Sequence, residues 1–277
     1  MPLTLRYVAR SDAGLVREGN EDAGYAGPYI LAVADGMGGH AAGEVASQAA
    51  VDELVQADLP PDGRDTLDAL AAVVHAANDR IRQLVDSDPK LRGMGTTATL
   101  LLWNKSRFGL AHIGDSRAYR LRDHELVQIT RDHTFVQALV DDGRISVDDA
   151  RVHPARAVVT KVLQGDEPIE PDYVMLDVKA GDRFLLCSDG LSDVVGHDDL
   201  RAALDAPGGV EAAADRLMSL ALQAGGPDNV TVVLADVVET DSPPQPDDTA
   251  EAYLVGAVAG AGTSHHEGQS RRDDAPR

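Results

Sequence analysis

Four aspartates stand where an apolar run gives way to glycine or a polar turn. Asp35 follows Leu31-Ala32-Val33-Ala34 and opens Asp35-Gly36-Met37-Gly38-Gly39-His40, and Asp115 follows Leu110-Ala111-His112-Ile113-Gly114. Asp189 follows Phe184-Leu185-Leu186-Cys187-Ser188 and precedes Gly190, and Asp228 lies in Gly225-Gly226-Pro227-Asp228-Asn229 ahead of Val230-Thr231-Val232-Val233. Any one of them taken alone reads first as a turn residue, because Asp and Gly have their own backbone reasons to be in turns. Four in matched settings point to a shared site. Clustered carboxylates repel one another and raise their own pKa values unless a cation joins them. Hard dications such as Mg²⁺ and Mn²⁺ take carboxylate, carbonyl and water oxygens. The glycines after Asp35 let the backbone approach a metal or substrate closely.

The elements that must carry these residues are legible as apolar runs bounded by turn signals. Strands are predicted over Tyr29 to Ala34, Thr97 to Trp103, Phe108 to Ile113, Arg117 to Leu121, Leu126 to Thr130, Tyr173 to Val178, Arg183 to Cys187 and Asn229 to Val237. Helical spacing marks Gly43 to Gln56, Thr66 to Val85, Thr134 to Asp142 and Val210 to Gln223. Blocks of strands with segregated helices predict an α+β layered sandwich.

Composition narrows the partners. The 277-residue chain is 43% hydrophobic, enough for a packed core. Its formal charge of −21 disfavours nucleic-acid phosphates and anionic lipid surfaces, and no basic stretch is interleaved with aromatics. The single cysteine, Cys187, lies inside an apolar run, which suits a buried thiol in a reducing compartment and predicts a cytoplasmic protein. Met1-Pro2-Leu3-Thr4 does not open a signal region, and Leu254 to Ala261 is too short to span a bilayer, so no membrane span is expected. From Thr240 the chain turns Pro- and acid-rich, so one domain over 1–239 and a flexible linker and tail over 240–277 are predicted.

At the motifs themselves the chain resembles the type 2C (PPM) metal-dependent serine/threonine protein phosphatases, in particular their bacterial branch. The resemblance rests on Ser11-Asp12-Ala13-Gly14-Leu15-Val16-Arg17-Glu18-Gly19-Asn20-Glu21-Asp22, Val33 to His40, and Gly95-Thr96-Thr97-Ala98. It extends through His112-Ile113-Gly114-Asp115-Ser116-Arg117, Cys187 to Asp193, and Gly226-Pro227-Asp228-Asn229-Val230-Thr231, in the family's order across residues 5–238. The implied fold is a β-sandwich of two antiparallel sheets flanked by helical pairs, with a flap insertion at 133–161.

The resemblance also implies roles. Asp35 bridges two ions, Mn²⁺ or Mg²⁺, with the Gly36 carbonyl on the second and Asp189 and Asp228 on the first. Glu21 and Asp22 hold metal-associated waters, Asp115 shares a third ion with Asp189, and Arg17 grips phosphate through its planar fork. The implied reaction is attack of a metal-activated bridging water on phosphoserine or phosphothreonine in proteins, opposing bacterial Ser/Thr kinases.

Two departures leave points open. Met37 stands where several eukaryotic relatives carry the histidine that protonates the leaving alkoxide, so either His40 or a metal-associated water fills that role. Ala157 replaces a serine that some relatives place near the third ion. A non-catalytic phosphoprotein-binding module and a two-metal hydrolase of small phosphate esters are the competing readings. A monomer is expected.

Overall fold

The computed structural model describes residues 1–38, 42–241 and 252–257. Twelve strands run in chain order as β1 Leu3–Asp12, β2 Asp22–Ala26, β3 Ile30–Met37, β4 Gly95–Thr96, β5 Ala98–Trp103, β6 Arg107–Ile113, β7 Arg117–Arg122, β8 Glu125–Gln128, β9 Asp172–Asp177, β10 Arg183–Cys187, β11 Val230–Glu239 and β12 Tyr253–Gly256. The helices are α1 Ala42–Gln56, α2 Thr66–Ser87, α3 Phe135–Asp141, α4 Val147–Arg151, α5 Asp189–Ser192, α6 His197–Asp205 and α7 Val210–Gln223.

The strands form two antiparallel sheets, one ordered β1-β11-β10-β7-β8 and the other β12-β2-β3-β5-β6-β9 with β4 against β3. Side-chain alternation along a strand divides the core into three layers. On β3, Leu31 and Val33 face the opposite sheet while Ile30, Ala32 and Ala34 face α1 and α2. On β10, Phe184 and Leu186 face the inter-sheet layer and Leu185 and Cys187 face α6 and α7. Both faces are covered, which is why these strands read as unbroken apolar runs rather than alternating ones. Cys187 is fully buried, and burial pushes its thiol up to about 12, so it is an inert packing residue.

Helix α2 shows why its span was readable. Asp65 caps it by accepting from the Leu67 and Asp68 amides, and Leu70, Val74, Ala77 and Ile81 form the buried stripe. Helix α1 presents small residues instead, including Gly43, Ala46, Ser47 and Ala50. They let it sit close on β2 and β3: a Cβ on Gly36 would lie 2.1 Å from the Gly43 carbonyl oxygen.

The stretch 133–161 folds over the sandwich as α3 and α4. Thr134 caps α3 through the Gln137 amide, and Gly143, at φ +67, follows it in the left-handed region where glycine carries no steric cost. Ser146 and Asp149 form a reciprocal capping box on α4. The base closes where the Thr160 amide donates to the His133 carbonyl at 2.8 Å and the Phe135 amide to Val158 at 2.9 Å.

The structure departs from expectation in three places. Strand β3 does not end before Asp35 but continues to Met37, because Gly36 and Met37 pair with Thr96 and Gly95 of β4. Strands β1 and β2 and helices α4 to α6 were not predicted. Inside the stretch read as linker and tail, Tyr253–Gly256 forms a strand on β2. A four-residue segment carries too little local signal, and its partners supply the pairing.

Candidate active site

Five acidic side chains converge at one end of the sandwich from five different segments. Asp22 opens β2 and lies directly across from Asp35 on β3. Asp115 follows β6, Asp189 follows β10 at the start of α5, and Asp228 precedes β11. Their mutual electrostatics show the convergence: burial first, then the charges of Asp22, Asp189, Asp115 and Asp228, hold the Asp35 carboxyl well above the usual carboxylate range. Burial, together with Asp189 and Asp228, pushes Asp22 up to about 7 against hydrogen bonds that lower it. Burial and Asp189, Asp132 and Asp193 push Asp115 up to about 7. Burial, Asp193 and Asp228 push Asp189 up to about 6, against a hydrogen bond shared with Asp35.

Backbone and neutral side chains fix this cluster. The Asp35 amide donates to Thr97 Oγ1 at 2.9 Å, and Thr96 Oγ1 donates to the Asp35 carbonyl at 2.9 Å. Thr97 Oγ1 in turn meets Ser116 Oγ at 2.8 Å, tying the segment to Asp115. The Thr231 amide donates to Ser188 Oγ, which leaves that hydroxyl to donate to Asp22 Oδ2 at 2.7 Å. Asp22 Oδ1 is buried with no hydrogen-bond partner.

The loop carrying Arg17 and Glu21 hangs on Asn229. Its Oδ1 accepts from the Glu21 amide at 2.8 Å, and its Nδ2 donates to the Ala13 and Gly19 carbonyls at 2.9 and 2.8 Å. The Glu21 carbonyl accepts from the Gly36 amide and from Ser47 Oγ, binding loop, β3 and α1 together. Burial raises the Glu21 carboxyl, with Arg17 opposing it. Sequence reasoning missed the roles of Asn229, Ser188 and Thr231. A polar residue beside each aspartate was the available signal, but their partners lie far away in sequence. Replacing Asn229 by Ala leaves three backbone groups unpaired and is expected to cost about 2–3 kcal/mol of stability, read by denaturant unfolding.

Arg17 sits on Asp228, with Nη2 2.8 Å from Oδ2. Both side chains are substantially exposed, so the pair is worth at most about 1 kcal/mol and the guanidinium is free to exchange partners. The Asp228 carboxylate also accepts from the Asn229 amide. Beside Asp115 and Asp189 a cavity of about 530 Å³ lies between the flap and α5–α6, lined by Arg117, Asp132, Val136, Val140, Asp193 and Arg156 among others. Arg117 forks onto Asp132 with bonds of 2.6 to 3.0 Å, which fixes one wall. Ala157 also lines this cavity. Met37 ends β3, whereas His40 lies outside the described residues.

Among the described residues no three acidic side chains already form a closed cage around one point. Their environment nonetheless fits a dication. Several desolvated carboxylates repel one another, one buried oxygen has no donor, and all are hard oxygen ligands. A cation would reverse the repulsion, and a water held by it could donate to the orphan oxygen.

Comparison with known proteins places this geometry among phosphatases. The family described as Protein phosphatase 2C matches residues 18–227. Serine/threonine protein phosphatase PstP of Mycobacterium tuberculosis is 54% identical over 258 residues, 93% of this chain and 49% of PstP. The chain thus spans about half the length of that relative. Serine/threonine phosphatase stp of Listeria monocytogenes is 35% identical over 238 residues, 82% of this chain and 94% of stp. A crystal structure of the catalytic domain of PstP in complex with two manganese ions superposes with a TM-score of 0.81 at 54% identity, covering 86% of this chain and all of that one.

Proposed function

Because this chain belongs to the protein phosphatase 2C family of metal-dependent phosphatases, we propose that it hydrolyses phosphoserine and phosphothreonine in proteins. The carrying observation is the convergence of Asp22, Asp35, Asp115, Asp189 and Asp228 beside a half-exposed arginine and an open cavity.

In this reading Asp35, the Gly36 carbonyl, Asp189 and Asp228 hold two dications, Mn²⁺ or Mg²⁺, and the two manganese ions of the PstP complex support that number. Bound there, the pair supplies a water acidified towards neutral pH and a clamp for phosphoryl oxygens. Glu21 and Asp22 orient the surrounding waters. Asp115 and Asp189 hold a third ion. Arg17 leaves Asp228 for the substrate phosphate, where a bidentate grip orients phosphorus for in-line attack. His40 or a water from the site delivers the proton to the leaving alkoxide. The described hydroxyl that meets a histidine base, Thr99 Oγ1 on His112 Nδ1 at 2.9 Å, is buried with its partner away from substrate, and buried Cys187 cannot serve as a nucleophile.

The substrates in this reading are phosphoproteins made by Ser/Thr kinases, and the setting is cytoplasmic, with a monomeric catalytic domain over 1–239 to which Tyr253–Gly256 of the following stretch adds an edge strand. No described helix is long and apolar enough to cross a membrane.

The test is Arg17→Ala assayed on a phosphothreonine peptide. Losing a charge-assisted contact to phosphate is expected to lower kcat/KM about 100-fold, roughly 3 kcal/mol, while Mn²⁺ binding stays within a few-fold. An unchanged kcat/KM would remove Arg17 from the phosphate site. Hydrolysis of small esters in preference to the phosphopeptide would overturn the protein-substrate reading.

A further inference from the structure

The strand β12 docks beside the acidic cluster although it comes from the chain beyond β11. It pairs antiparallel with β2, from Tyr253 opposite Ala26 to Gly256 opposite Ala23. With β12 in place β2 is an interior strand, hydrogen-bonded on both sides, between β12 and β3. Without it the edge bearing Asp22 would expose unpaired backbone groups.

Side chains seat the strand in a defined position. The Tyr253 ring meets Tyr7 of β1 edge-on, with centroids 6.3 Å apart and planes at 89°. Val255 packs on the inter-sheet core, and its Cγ2 lies 3.0 Å from where a Cβ on Gly24 would stand. Gly256 adopts φ +86, and a Cβ there would fall 2.1 Å from the Asp22 carbonyl oxygen. The end of β12 therefore rests on the backbone of Asp22 itself. That residue has one buried oxygen held by Ser188 and the other without a partner, and it faces Asp35 in register.

We propose that β12 is a strap in cis that positions Asp22 and thereby tunes the affinity of the site for Mn²⁺. The inference rests on the acidic cluster being the metal site. Asp22 acts at one remove from the ions, and loss of such outer contacts typically costs about 10- to 100-fold in metal affinity. The carboxylate cannot shift sideways while β12 and β3 both hold its strand. Release of β12 gives β2 an open edge and lets Asp22 move away from Asp35.

The experiment compares the full chain with Gly256→Val, whose side chain cannot fit over Asp22, and with Leu254→Lys, a change at a solvent-accessible position of the same strand, 39% exposed. Mn²⁺ binding is measured by calorimetry and β2 protection by amide hydrogen exchange. In Gly256→Val, exchange at Ala23 to Tyr25 is expected to accelerate and the Mn²⁺ Kd to weaken by about tenfold or more, with phosphopeptide KM unchanged at saturating Mn²⁺. Leu254→Lys is expected to match the unaltered chain in all three. Faster exchange with unchanged Mn²⁺ affinity would reduce β12 to packing and overturn the strap. Unchanged exchange would show that Gly256 does not govern docking, and would also overturn it. An unaltered chain that folds but binds no Mn²⁺ would fell the metal-site reading together with the strap. An active chain whose Mn²⁺ affinity ignores Gly256 would fell the strap alone.

Discussion

In Asp189→Asn, phosphopeptide hydrolysis is expected to fall by about a thousandfold or more, roughly 4 kcal/mol of lost transition-state stabilisation. The amide has nearly the same shape and can keep the hydrogen bond to Asp35, but it carries no charge for a dication. Asp189 lies within the cluster: it shares that bond with Asp35 and feels Asp193 and Asp228. Mn²⁺ affinity should weaken in parallel. Metal-free stability should move the other way, because the substitution takes one repelling charge out of a buried group of carboxylates. A fall in activity with an unchanged or raised Tm in chelator separates a metal-binding role from a packing role. Activity lost together with a large drop in metal-free Tm would mean that Asp189 holds the fold instead.

The second large effect is a pH dependence that Mn²⁺ should abolish. Folded-state values are raised for Asp22 and Asp115, each to about 7, and for Asp189 to about 6, and burial with its acidic neighbours holds Asp35 well above the usual carboxylate range. A carboxyl whose pKa is higher folded than unfolded binds protons preferentially in the native state. Its contribution to stability is complete below the unfolded value and is lost as pH rises through the folded one. Metal-free protein should therefore lose stability between pH 5 and 8. The groups are coupled, so the total is on the order of 3–5 kcal/mol rather than a sum over sites. For a chain of this size that corresponds to a drop in Tm on the order of 10 °C. With saturating Mn²⁺ the carboxylates are ionised at every pH in that window, and the slope should flatten. Mn²⁺ binding near pH 6 should release protons, read as a binding enthalpy that depends on the buffer's ionisation heat. A metal-free Tm that is flat from pH 5 to 8, with no proton release, would contradict the clustered-carboxylate account.

Asp35, Asp115, Asp189 and Asp228 could be found in the sequence because each borders a strongly apolar segment, as Asp35 does after Leu31 to Ala34 and Asp189 after Phe184 to Cys187, whereas Asp22 came only from the motif resemblance. Long strands and helices were legible for the same reason, since α2 and α7 each bury a stripe at helical spacing. Strand β1 carried a readable alternation too, with Leu5, Tyr7 and Ala9 on the inter-sheet face, but Arg6 within it and Arg10 after it cut the apolar run to three residues. Strand β2, Asp22-Ala23-Gly24-Tyr25-Ala26, is buried along its whole length and has no period of its own, so only its neighbours make it a strand. Strand β12 was hidden in the same way behind a Pro-rich stretch. The supports of the site depend on tertiary placement: Asn229 reaches Ala13, Gly19 and Glu21 across some two hundred residues, and no local pattern encodes that. Arg17 was singled out by the motif resemblance, but its contact with Asp228 emerged only from the folded chain.

The most direct measurement is phosphate release from a phosphothreonine peptide by the full chain, first with Mn²⁺, then after chelation, then after Mn²⁺ is restored. Release is expected with Mn²⁺, loss with chelator and recovery on re-addition, with the same sequence of additions giving almost nothing for Asp35→Asn. Folded, Mn²⁺-loaded protein that releases no phosphate from a varied phosphopeptide panel would contradict it, and would leave a phosphoprotein-binding role for the site.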